Sequence, residues 1–317
     1  MFFSAAVAAL ALLHSTADPQ VPPPAPQSPA QQVDPTTLAD VVVRGAAAEP
    51  EQLRSFVTEI GGGPPRRLMA RWNRPICIGT VNARPEYAQP FIDHMARVAI
   101  DAGAAVDGPG CRANMLVIFT SNGKVTAEAL AAGSPLSFIP PGQAGPRLTR
   151  ADLDAFINSD RPVRWWHLSQ DVSESTGNPV QMVTIYTADG EEVEVPQVVV
   201  DRMSRLGSGM RTDLQQGVII VDTSRLGDTS TASLADYAAM VMLSQIDPGT
   251  QAAGFPSILS LFSRPVGSAS LTEWDMAYLR SLYRTPPGRP SRRFQEREIA
   301  AGMEREFTRD PARPVGR

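Results

Sequence analysis

The chain has 317 residues, 43% of them hydrophobic and 20% charged, with a formal net charge of −4. That apolar content is enough to bury one sizeable core. The acidic balance removes the electrostatic reason to expect nucleic acid as a partner, because such binding neutralises phosphates with a basic face. Lys124 is the only lysine among 29 basic residues, an arginine bias that a genome rich in G and C produces without any function.

Met1 to Leu13 is an apolar run too short to span a bilayer, and Ser15-Thr16-Ala17 supplies small residues for a cleavage site before Asp18. This predicts a signal peptide over 1–17 and a periplasmic or secreted mature chain. Residues 18–37, rich in Pro, Gln and Ala, read as an extended, solvated spacer. No later stretch has the apolar length of a membrane helix, so no transmembrane segment is expected in the mature chain. The folded part is expected as one domain over 38–290, followed by a C-terminal amphipathic helix and tail over 291–317.

In chain order, Leu38 to Gly45 reads as an edge strand, and Glu51 to Ile60 as a helix ended by Gly61-Gly62-Gly63-Pro64-Pro65. Pro75 to Val81 suggests a first core strand, and Pro90 to Ala102 a helix with Phe91, Met95, Val98, Ala99 and Ala102 on one face. Asn114 to Phe119 is the next buried strand. Strand, helix and strand at this spacing predict a parallel crossover packed on a sheet. His94 lies between the apolar residues of that helix and beside Asp93, which places it at a solvated edge; a binding role needs a second polar group from elsewhere in the fold.

Cys77 and Cys111 are the only cysteines, and each lies at or beside one of those two strands. In an oxidising compartment they are expected to pair as a structural disulfide, since the spacing is not that of a redox CxxC. Ser121 to Gln143 reads as an irregular excursion holding a short helix at Val125 to Ala132, and Leu148 to Ile157 as another short helix.

The stretch Arg164-Trp165-Trp166-His167 is unusual in setting two tryptophans between a cation and an imidazole. On a strand, Trp165 and His167 face one side while Arg164 and Trp166 face the other. Two readings follow. One pair lines a groove for an anionic, sugar or peptide ligand, or the tryptophans pack the core while Arg164 and His167 decorate an edge strand. Asp171 to Gly190 carries two turn signals around Val180 to Thr187, predicting a hairpin, and Glu191 to Val195 alternates as a strand with one wet face. Arg202 to Gln216 reads as polar and partly helical.

Val218 to Val221 is a short buried strand, and from Ser233 the pattern becomes helical through Leu234, Tyr237, Ala238, Val241 and Met242, with Ser233 or Thr231 as cap. A compact apolar piece, Phe255 to Phe262, leads to a helix from Glu273 to Tyr283 capped by Thr272. Arg292 to Phe307 forms a last amphipathic helix. The expected fold is α+β, an α/β sandwich with a mixed sheet backed by helices and a helical C-terminal half.

The order strand, helix, "PSILSLF", then "LTEWDMAYLRSLY" resembles a family of uncharacterised exported bacterial proteins with a zincin-like, metzincin-type fold, whose helix carries an HExxH zinc motif. Laid onto this helix by its apolar phase, the motif falls on Asp236 to Met240. Asp236 and Met240 then stand where the resemblance implies histidines, and Tyr237 where it implies the general base. A carboxylate beside a thioether does not supply the converging donors that zinc needs. The three histidines, His14, His94 and His167, are far from the helix in sequence. No metal, no cofactor and no catalytic residue is therefore expected; GxSxG, P-loop and GxGxxG motifs are also missing.

These readings predict an exported binding or structural protein of the cell envelope with an unidentified protein or envelope partner. A hydrolase with a non-zinc site is the alternative. The candidate cleft or binding residues are Arg164, Trp165, His167, Asp236 and Tyr237.

Overall fold

A computed structural model describes residues 49–63, 67–133, 149–199, 207–250, 252–263 and 269–308. The expected signal segment, spacer and edge strand at Leu38 to Gly45 lie outside the described residues. Among the described residues, no helix is long and apolar enough to cross a membrane.

The fold is α+β, with a four-stranded mixed sheet in the order β1-β2-β6-β3. β1 (Ile78–Val81), β2 (Met115–Thr120) and β6 (Met210–Asp222) run parallel, and β3 (Val163–Ser173) pairs antiparallel with β6. Helix α2 (Pro85–Ala102) carries the crossover from β1 to β2, as the spacing predicted. It starts earlier than its apolar pattern because Pro85 suits the first helical turn, and it tolerates Pro90 inside. Cys77 and Cys111 form a disulfide with a Cα–Cα distance of 6.0 Å, tying the approach to β1 to the approach to β2.

The sheet is covered on both sides, and the sequence alternation says why. Along β6, Ile219 and Val221 face the main core while Ile220 faces a second, smaller cluster. That smaller cluster is closed by α3 (Gly123–Gly133) and α4 (Arg150–Ile157) through Ala127, Leu153 and Phe156. Thr149 caps α4 by accepting from Asp152 N–H.

The main core lies between the other face and a set of helices: α1 (Pro50–Ile60), α2, α5 (Thr231–Leu243), α6 (Glu273–Arg284) and α7 (Arg292–Thr308). Every residue of α5 from Ser233 to Leu243 is buried, which identifies it as a central rather than an amphipathic helix. Its cap is Ser230, one residue ahead of Thr231 and three ahead of Ser233, the expected candidates, and its last turn stops at Leu243. α5 lies so close to β6 that a Cβ on Gly217 would collide with Met242. Thr272 caps α6 through a box with Asp275.

Two segments depart from expectation. Residues 210–216 are strand rather than partly helical: β6 runs thirteen residues, and its polar first half pairs with the far end of β3. Its polar side chains are satisfied: across the sheet Thr212 donates to Asp171, which also accepts from Arg67, and along the strand Arg211 pairs with Asp213. The hairpin forms between β4 (Gln181–Tyr186) and β5 (Glu192–Gln197), turning at Asp189-Gly190, but as a separate two-stranded sheet. Met182, Ile185, Tyr186 and Val193 remain exposed on it, so neither face has the cover that one wet face implies.

Candidate functional site

The carboxyl ends of β1, β2 and β6 open into a cleft of about 270 Å³. In sheets of this kind that edge is where loops and helix starts converge on a ligand. Phe91, Phe119, Leu226 and Leu234 give it apolar walls. Asn82, Thr223, Thr229 and Thr231 bring polar groups from the turns leading into α2 and α5. Asn82 holds φ at 59°, a left-handed conformation that asparagine tolerates better than most residues. At the rim the Arg84 guanidinium stacks over the Tyr87 ring at 4.9 Å.

Beside this cleft, α2 and α5 are joined by a histidine–carboxylate pair. Phe91 lines the cleft, and one turn further along α2 His94 Nε2 lies 2.5 Å from Asp236 Oδ1. The other oxygen, Oδ2, accepts from Leu271 N–H at 3.1 Å. A carboxylate only accepts, so in this contact Nε2 carries the hydrogen and donates it to Asp236, which orients the ring. The Asp236 side chain is 9% exposed and that of His94 is 29% exposed, so the imidazole forms the wet end of the pair. The second polar group that a role for His94 required thus comes from α5.

The rest of the helix where a zinc motif would fall is packing. Tyr237 is buried between Trp165 and Phe262, with ring centroids at 6.1 Å and 5.0 Å. Burial pushes its hydroxyl up to about 12, and the nearby Arg161 only partly opposes this. Met240 is fully buried in the main core. Among the described residues no three His, Cys, Asp or Glu side chains converge as a metal site would require.

The Arg164–His167 stretch forms no groove. It is the first half of β3, whose two faces are both covered, and all four side chains are buried. Trp165 belongs to the main core and donates to Ile246 O at 2.9 Å. Trp166 packs on Phe156 in the smaller cluster. Arg164 donates to Ile157 O, and its burial lowers its basicity against the opposing pull of Asp222. Its neighbour Asp222 accepts from Gly123 N–H and Ser224, which hold the carboxyl low although burial works to raise it.

His167 lies opposite Gly217 on β6, close to Met242 near the C-terminal end of α5. Its Nε2 has no hydrogen-bond partner among the described residues. Burial pushes the imidazole down to about 4, and a hydrogen bond with the Val241 backbone only partly opposes this. Of the candidate residues, then, Asp236 alone reaches a histidine, and that histidine is His94 rather than His167. Sequence spacing gives no sign of this pair, because its members are 142 positions apart. Comparison with known proteins returns no match to any family model, curated protein or solved structure.

Proposed function

We propose that this chain is an exported, non-catalytic binding domain of zincin-like design that holds its ligand in the cleft at the carboxyl ends of β1, β2 and β6. The carrying observation is the fate of the helix positions where the resemblance implies a metal-binding motif. Asp236 spends both carboxylate oxygens on His94 and Leu271, while Tyr237 and Met240 are core. The disulfide fits an oxidising compartment. Apolar walls with a few turn-borne hydroxyls suit a small ligand bound by shape more than by charge.

The test is metal analysis of the purified protein after dialysis, together with a peptide-cleavage assay with and without chelator. The expected result is substoichiometric zinc and no chelator-sensitive cleavage; stoichiometric zinc or chelator-abolished cleavage overturns the reading.

The His94–Asp236 geometry favours one second reading, a hydrolase in which Asp236 orients His94 and Nδ1 serves as general base. That reading requires ester or amide hydrolysis that His94→Gln abolishes while the fold survives.

A further inference from the structure

On the side of the helical layer where α1 meets α7, the surface carries a second cleft, of about 370 Å³, walled by Arg54, Thr58, Arg293, Glu296 and Arg297. The two helices are fixed there by a residue that is not part of the wall. Arg292 is buried and donates to the carbonyls of Gly61, Gly62 and Gly63 at the end of α1, at 2.6, 3.0 and 3.1 Å. Its Nε also donates to Glu296 Oε1 at 2.8 Å. The one carboxylate in the cleft wall is therefore already engaged by Arg292.

Arg54, Arg293 and Arg297 are in a different position. Arg54 and Thr58 stand one turn apart on the outer face of α1, and Arg293 and Arg297 one turn apart on the outer face of α7; all four are exposed. None of the three arginines forms an ion pair with a carboxylate among the described residues. Arg297 is nonetheless held in place, with Nε donating to Arg293 O and the guanidinium 5.7 Å over the Phe294 ring.

Like charges one turn apart on a helix oppose folding by a few tenths of a kcal/mol, and this pair faces a third cation across the cleft on a chain of net charge −4. Arg293 lies in the first turn of α7, where the helix dipole adds further positive potential. No carboxylate among the described residues offsets this concentration of charge at the three arginines; an anion in the cleft would offset it.

We infer that the α1–α7 cleft binds a phosphoryl group carried on a small polar molecule. Three planar guanidinium forks and the Thr58 hydroxyl outnumber the two oxygens and single charge of a carboxylate. They match the three terminal oxygens and nearly two charges of a phosphate monoester. The cleft is also larger than a bare phosphate, which leaves room for the group that bears it. The same monoester chemistry is offered by a free phosphomonoester and by the headgroup of phosphatidic acid.

The experiment titrates the full chain at low salt with glycerol 3-phosphate by calorimetry, and separately tests sedimentation with phosphatidylcholine vesicles with and without phosphatidic acid. Arg293→Gln and Arg297→Gln are each expected to weaken binding about tenfold or more; Arg293→Gln should do so without lowering the melting temperature, because it relieves repulsion, while Arg297→Gln also gives up its contact with Phe294. Arg305→Gln, exposed further along α7 and outside the cleft, is expected to leave binding unchanged. Saturable binding of the soluble ester identifies a free phosphomonoester. Vesicle binding that needs phosphatidic acid and is lost in the same two variants identifies the headgroup. No saturation in either arm up to roughly 10 mM, or binding that both glutamine variants retain within about twofold, overturns the inference.

Discussion

His94 meets the N-terminal half of α5 from α2, and His167 meets its C-terminal half from β3; the same buried helix receives the two imidazoles in opposite ways. At the first contact a carboxylate on the helix accepts from the ring, whose other edge reaches water. At the second the helix offers its backbone and apolar side chains, and Nε2 has no partner among the described residues. A histidine can therefore be buried either as half of a polar pair or as a neutral packing group. The second has a consequence for stability, because burial without a carboxylate partner disfavours the charged form of His167.

The largest effect expected near this helix tests the packing on which the His167 side depends. Trp165→Ala removes a buried ring from between Tyr237 and the sheet, and is expected to cost about 3–5 kcal/mol in denaturant unfolding. Reduction of Cys77–Cys111 should cost about 3–4 kcal/mol by the same measurement, and by acting equally on both contacts it gives a control for global loss.

The pH dependence then tests the burial of His167. His167 in the fold sits at about 4 against an ordinary 6.5, so between those values the unfolded chain takes up a proton that the folded chain refuses. Its contribution to stability is full above about pH 6.5 and falls as pH drops towards 4, by up to about 3 kcal/mol. His167→Met should flatten that slope.

Asp236→Ala strands the Leu271 amide and releases His94 to water, at an expected cost of about 1–3 kcal/mol. The smallest change, Ser230→Ala, removes the α5 cap for about 1 kcal/mol.

What the sequence revealed and what it hid divide along similar lines. Elements whose signals are local were readable: Thr272 opening α6, the glycines closing α1, and the period change that marks α5. The disulfide was readable from compartment and spacing. The polar first half of β6 was not, because its stability comes from Asp171 and Arg67, which belong to other segments. Trp165 and Trp166 were assigned to opposite faces correctly, but whether each face was covered depended on α4 and α5 arriving there. The His94–Asp236 pair was hidden for the same reason, since either residue alone reads as a helix-edge polar group.

The grip of Arg292 on the three glycine carbonyls has a consequence for how the chain matures. The first described helix cannot complete its C-terminal end until the last one has been made, since the donor lies 230 residues downstream of Gly62. A nascent chain would therefore carry those carbonyls open to solvent until the last helix has been made. Cleavage between α6 and α7 should then loosen the beginning of the fold as much as its end, which limited proteolysis followed by hydrogen exchange at residues 50–63 would reveal.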